Sequence, residues 1–273
     1  VMNFLQLSGI PIPCDASSPF TYAEERMGEA TRSYDGTLHS SFRGDAKWGC
    51  AGTTFAQEIP LSRVMRKLIS GAGHSWSFDS GFVSSTGISY SVFSGSAWIE
   101  TSGSKFGTGH LGCSPETYLR WPVRLPPQRT LMFWSKGTSL GPTWRHVVVY
   151  PALNSVWIDG SEWGDLSDIE GLGLIVIVTD AAIDIGAQYS APGDASFDDL
   201  VALPYTLPVA WAQGLAASSV PFGPLPYHTA TGTGVDEPRR VLGEPGDGTA
   251  IELRTAGGLY LPHESFDFTL REK

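Results

Sequence analysis

The stretch closest to a catalytic signature is Gly73-His-Ser-Trp-Ser77. It approaches the Gly-x-Ser-x-Gly turn that presents a serine nucleophile between a strand and a following helix. Its last position is Ser77, and the amphipathic segment lies before it rather than after, so it reads as a turn. Gly107-Thr-Gly-His-Leu-Gly112 matches the spacing of a dinucleotide loop. That loop needs a helix N-terminus to meet the phosphates, and Cys113-Ser-Pro115 follows instead, which predicts a flexible loop. Asp165-Leu-Ser-Asp-Ile-Glu170 gathers carboxylates of the kind that serve as acid and nucleophile on a sugar. Its glycine-flanked setting lacks the alternate-position spacing that aims two carboxylates at one bond. His39, His74, His110, His146, His228 and His263 are dispersed, with no pair at metal-ligand spacing. The expectation is a chain with no catalytic residue and no zinc site, hence no enzyme.

Binding chemistry has a better footing. Nine tryptophans stand in 273 residues. An indole face stacks on a pyranose ring while its polar edge reaches a hydroxyl, and the same residue also fills cores. Trp157 and Trp163 flank a predicted hairpin end and are the candidate carbohydrate-binding residues. Arg43-Gly-Asp45 spells a receptor-adhesion tripeptide, but three residues carry little information, and a plain turn accounts for them.

The balance of charge excludes other partners. With 18 basic against 28 acidic residues the net charge is −10. No basic face is available for counterion release, so nucleic acid is not an expected partner. The longest apolar run, Gly171 to Val178, is far shorter than the roughly 20 residues that cross a bilayer. It reads as a buried strand, and no membrane partner is expected. The N-terminal residues show no basic segment leading into a long apolar one, so no secretory signal is expected. Cys14, Cys50 and Cys113 form no close pair and are odd in number, which predicts free thiols in a reducing cytoplasm.

The elements that would position these residues are mostly strands. Gly (32) and Pro (19) are numerous enough to imply many turns. One helix is predicted, because Leu61, Val64, Met65, Leu68 and Ile69 recur at helical spacing between Pro60 and Gly71, with Arg63, Arg66 and Lys67 on the other face. Trp144 to Tyr150 and Val156 to Gly160 read as a hairpin around Pro151 to Ser155. Tyr34-Asp-Gly36 reads as a further turn between strands. From about Ile88, short apolar runs return at regular intervals: Ala97 to Ile99, Leu119 to Trp121, Thr130 to Trp134, Leu172 to Val178 and Phe197 to Val201. That rhythm predicts a sandwich or jelly roll. Beyond Pro208, Arg239 to Leu242, Ala250 to Arg254 and Phe266 to Leu270 are strand-like and would complete a sheet begun before residue 88.

Four segments in order, Leu131-Met-Phe-Trp-Ser135, Trp144-Arg-His-Val-Val-Val149, Val156-Trp-Ile-Asp-Gly160 and Phe197-Asp-Asp-Leu200, resemble the laminin-G-like or concanavalin-A-like jelly rolls. The resemblance spans about residues 88 to 208 and implies a fold, with ligand residues unassigned. It also implies a structural calcium ion as an option, for which Asp180, Asp184, Asp194, Asp198 and Asp199 are the available oxygens. The flanking parts, with Met27 to Gly36 and Leu68 to Asp79, resemble tail and baseplate proteins of bacteriophage virions. The fold class expected is therefore mainly β: a jelly-roll sandwich (88–208) inserted into a smaller β domain (1–87 plus 209–273) carrying one amphipathic helix. The resemblance implies a non-enzymatic structural protein of the virion, assembled in the host cytoplasm and homo-oligomeric through its outer domain, with other virion proteins as partners. Alternatives are a module binding host-surface glycan and a capsid decoration protein.

Overall fold

The Trp144 hairpin forms much as its sequence dictates. In the computed structural model, Gly141–Tyr150 pairs antiparallel with Ser155–Ile158, Val147 opposite Ile158 and Tyr150 opposite Ser155. A single 3-10 turn at Pro151–Leu153 and the left-handed Asn154 (φ 49°) connect them, a conformation that asparagine tolerates better than most residues. The structure describes residues 5–13, 20–25, 28–32, 38–42, 47–79, 81–123, 129–179, 181–232, 235–254 and 260–273. Arg43-Gly-Asp45, Tyr34-Asp-Gly36, Cys14 and Asp180 lie outside them.

Around the hairpin the chain builds a sandwich. The larger sheet runs Ala97–Glu100, His110–Cys113, Ala195–Leu203, Thr130–Gly137, Gly141–Tyr150, Ser155–Ile158, Ser161–Gly164, with His74–Trp76 added against Leu200 to Ala202. The smaller sheet runs Leu174–Val178, Ile183–Ala187, Tyr118–Trp121, Ser91–Phe93. Alternate residues of both enter one core: Leu131, Phe133, Val147, Val149 and Phe197 from the larger sheet, and Leu119, Trp121, Val176, Ile183 and Ile185 from the smaller. Period-two alternation in antiparallel strands requires this when one face is buried. The mainly β, sandwich character expected from the sequence is thus observed, at 51% strand.

The boundaries differ from those read in the sequence. One compact unit comprises Gln6–Ile10 and Gly71–Thr229, the other Val1–Leu5, Pro11–Ser70 and Ala230–Lys273. The sandwich therefore takes in 6–10, 71–87 and 209–229 as well as 88–208. The physical reason is packing: Trp76 lies opposite Leu200, and its ring meets Trp121 at 5.1 Å. The helix Val209–Leu215 buries Ala212 and Leu215. Gly107 to Gly112 is likewise not a loop throughout, since His110–Cys113 is a fully buried strand.

The other unit carries the expected helix, Ile59–Ile69, on a sheet ordered Arg239–Arg254, Tyr260–Glu272, Lys47–Thr53, Thr21–Glu25. Met65, Leu68 and Ile69 are buried. Arg66, on the polar side, forms ion pairs with Glu264 (3.3 Å) and Asp247 (3.7 Å). Gly243 of the long hairpin is a requirement of this packing, because a Cβ there would come within 2.3 Å of the Ile69 carbonyl oxygen.

Replacing Phe133, fully buried and edge-on to Phe197 at 5.7 Å, tests the shared core. Phe133→Ala is expected to cost about 3–5 kcal/mol, read as a lower urea midpoint by tryptophan fluorescence. A loss under about 1 kcal/mol would mean that this core is not close-packed.

Candidate functional site

The face of the larger sheet turned away from the core is where ionisable and aromatic residues gather. Strand register sets them in rows. Trp98 lies opposite Gly112, Gly112 opposite Ser196, and Ser196 opposite Lys136. Trp144 follows, its ring 4.5 Å below the Lys136 ammonium. In the next row Glu100 lies opposite His110, and Trp134 lies opposite both Asp198 and His146. Beyond it Met132 lies opposite Val148, which is opposite Trp157.

Most of this face is roofed. Asp198 Oδ2 accepts the backbone N–H groups of Lys105 (2.8 Å) and Phe106 (2.9 Å). The loop so anchored places Phe106 edge-on to Trp134 and the Lys105 ammonium 4.0 Å from the same ring. Asp79 Oδ1 fixes the next turn through the N–H groups of Thr108 (2.5 Å) and Gly109 (3.1 Å). Asp199 accepts from Phe222 (2.7 Å) and Gly223 (3.1 Å). Leu215, Val220 and Phe222 close over Met132, Trp134 and His146, leaving a hollow of about 10 Å³, room for one water at most.

The open part is the first row. Trp98 is 36% exposed, and its indole lies flat across Gly112, where a Cβ would meet ring atoms at 2.5–2.8 Å. The strand backbone supports one face of the ring. Beside it, the Glu100 carboxylate is 3.3 Å from Nε2 of the buried His110, whose ring meets Trp144 edge-on at 5.2 Å. Trp144 Nε1 and Lys136 Nζ both donate to the Gly103 carbonyl, at 3.0 and 2.9 Å. The result is a rigid shelf of two indoles with an acceptor (Glu100), a hydroxyl (Ser196) and an ammonium. Such a set can stack on an apolar ring face and hydrogen-bond to the hydroxyls around it.

Burial governs the charges behind the shelf. It pushes the Asp198 carboxyl up to about 7 and Asp199 up to about 6, against the opposing pull of the N–H groups they accept. Burial also lowers His110, and takes His146 down to about 4, so both rings are neutral at pH 7.

The residues singled out in the sequence fall elsewhere. Trp157 shares the outer face but is half-buried, its Nε1 bonded to Ser155 Oγ at 2.9 Å. Trp163, 41% exposed, is the extra residue of a bulge between Glu162 and Gly164. No ring contact joins the two tryptophans among the described residues. The aspartates considered for calcium do not converge: Asp184 is held by Arg120 in a two-point ion pair (2.7 and 2.5 Å), Asp194 is exposed, and Asp198 and Asp199 hold separate loops. Among the described residues no group of three or more acidic, His or Cys side chains could hold a metal.

The motifs weighed for catalysis have structural occupations. Ser75 is buried, bonded to Ser85 Oγ (3.1 Å) and accepting from Leu225 N–H (2.8 Å). Asp168 accepts from the Asp165 N–H (3.0 Å) to cap a 3-10 turn. A Ser–His pair that the sequence did not suggest, Ser8 Oγ with His228 Nδ1 at 3.2 Å, is buried on both sides. Cys50 and Cys113 are buried, with the Cys113 thiol pushed up to about 12 by burial. The shelf itself had a faint signature in Ala97-Trp-Ile-Glu100, whose alternation puts Trp98 and Glu100 on one face; only register shows that Gly112 lies beneath. No protein-family model matches this chain, and no curated protein sequence matches it.

The buried carboxyls give the sandwich a pH signature. A carboxyl whose native pKa exceeds its ordinary 3.8 adds stability that is full below pH 4 and lost as pH rises through about 7. Wild type minus Asp198→Asn stability is expected to fall by on the order of 4 kcal/mol from pH 4 to 8, measured by urea unfolding. A difference independent of pH would show that Asp198 is ionised in the native state throughout.

Proposed function

We propose that this chain is a non-enzymatic structural protein of a tailed-phage virion, of the tail or baseplate, that assembles through the unit containing Ile59–Ile69 and displays the sandwich. The observation that carries the reading is the insertion: Gly71–Thr229 leaves and re-enters the other unit between Ser70 and Ala230. A module inserted in this way can be carried without interrupting the host sheet, whose strands Lys47–Thr53 and Tyr260–Glu272 pair from opposite sides of the insertion. The carboxylates of the sandwich support the non-enzymatic part, since Asp79, Asp198 and Asp199 are each occupied in clamping backbone N–H groups. The acidic balance and the resemblance of the flanking segments to tail and baseplate proteins support the setting.

Purified full-length chain is expected to form a closed ring or larger assembly in light scattering and negative-stain images. A monomer at all concentrations would remove the assembly reading.

A second reading, recognition of host-surface carbohydrate by the sandwich, is favoured by the Trp98 shelf over Gly112. Binding on a glycan array is expected to drop at least tenfold in Trp98→Ala and in Gly112→Ala, the latter because the new methyl lifts the indole. Binding that survives both but is lost in Trp157→Ala or Trp163→Ala would move the site to the hairpin end.

A further inference from the structure

The edges of the two sandwich sheets are not alike. Ala97–Glu100 carries Glu100, and Ser161–Gly164 carries Glu162 and the Trp163 bulge. Ser91–Phe93 is only three residues long. Charge, bulging and brevity are the devices that keep an edge from pairing with another chain. Leu174–Val178 has none of them: five residues, Leu-Ile-Val-Ile-Val, paired on one side to Ile183–Ala187 and on the other to no strand among those described. Its inward residues Leu174 and Val176 belong to the core. Of its outward residues Ile177 is 47% exposed and Ile175 partly buried, and neighbouring Tyr189 is 79% exposed. They line a hollow of about 440 Å³ together with Tyr118, Ile169 and Gln188.

We propose that Leu174–Val178 is a self-association edge, at which the same strand of a second copy of this chain pairs antiparallel and joins two small sheets into one. Three features select a second copy as the occupant. A strand added here must be apolar on both faces, because one face extends the core and the other covers the hollow; Leu174–Val178 is itself such a strand. Antiparallel pairing about Val176 sets Ile175 opposite Ile177 and Leu174 opposite Val178, a self-complementary arrangement of aliphatic cross-strand pairs. Finally, each copy carries a net charge of −10, and the paired strand itself is uncharged, so the only carboxylate lining the hollow among the described residues, Glu170, lies beside the paired strands rather than within them. Exposed Ile177 and Tyr189 then become the partners of the other copy's hollow. The contact is short beside a standard interface of about 1,600 Å², so the association is weak and concentration-dependent. It rests on the edge alone and is independent of the virion reading.

The test uses the full chain over roughly 1–100 µM, the range in which a micromolar dimer titrates. Hydrogen exchange of residues 174–178 is expected to slow at least tenfold from the lowest to the highest concentration as particle mass in light scattering rises. Ile177→Lys, a change at an exposed site, is expected to abolish both effects and leave circular dichroism and the melting temperature unchanged. Exchange of this segment that does not vary with concentration, or concentration-dependent protection that persists in Ile177→Lys, overturns the proposal. Assembly through the other unit with an unprotected Leu174–Val178 would do so while leaving the virion reading intact.

Discussion

The outer face of the larger sheet depends on one irregularity in its central strand. Phe197 and Leu200 of Ala195–Leu203 both enter the core, although a regular strand would turn residues three apart to opposite faces. A bulge opposite Met132 to Trp134 absorbs the extra residue, with Asp199 in the left-handed region at φ 44°. Two consecutive carboxylates thereby leave the core side. Asp198 takes the loop bearing Lys105 and Phe106, and Asp199 takes the segment at Phe222 and Gly223. Without the bulge one of the two carboxylates would point into an apolar core, where nothing satisfies it.

This arrangement costs free energy, as the raised pKa values of both groups show. What it secures is order in segments that have little apolar surface of their own. Residues 101–109 are rich in Gly, Ser and Thr and would be mobile if held only by contacts. Anchored at Asp198 and Asp79, the loop supplies the Gly103 carbonyl that fixes Trp144 and Lys136. The shelf is therefore positioned indirectly, through two acids, Asp198 buried and Asp79 exposed. His146, held neutral by burial, is the counterpart: its contribution to stability is present above pH 6.5 and lost as pH falls toward 4. The His146 and aspartate terms thus oppose each other across the same pH range.

The sandwich was legible in the sequence wherever one side of a strand is apolar and the other is not. Thr130 to Trp134 and His146 to Tyr150 instead show continuous runs of aromatic and β-branched residues bounded by turn residues, the mark of strands buried on both faces. The helix Ile59–Ile69 was legible from one-sided apolarity at a different period. Strands that pattern cannot reveal were missed: His110–Cys113 is buried on both faces and contains a glycine, so it resembled a loop. The domain edge was misplaced because Trp76 and Leu215 belong to the sandwich through residues far away in the chain, Leu200 for Trp76 and Met132, Trp134 and His146 for Leu215, which no local signal encodes. The shelf was hidden for a related reason. Trp157 and Trp163 stand out because they flank a recognisable turn, whereas Trp98 acquires its flat, open pose from Gly112, and the two are neighbours only through register.

The two sheets of the sandwich end with different surfaces, and the difference follows from how each outer face is finished. The larger sheet is covered by loops that acids pin down, and what stays open is a small polar and aromatic shelf suited to a ligand with hydroxyls. The smaller sheet leaves Ile177 exposed and Ile175 partly buried. Its polar investment is the Arg120–Asp184 pair, with Arg120 over Phe93 at 4.7 Å and Phe93 stacked on Tyr118, which guards the part of the sheet nearest Ser91–Phe93. Asp184 is also the register partner of Ile177, so what stays open is the outer edge of Leu174–Val178, away from the pair. An apolar strand left open beside a hollow, in a sandwich whose other surfaces are closed by loops on buried acids, is the surface that the proposed pairing with a second copy would cover.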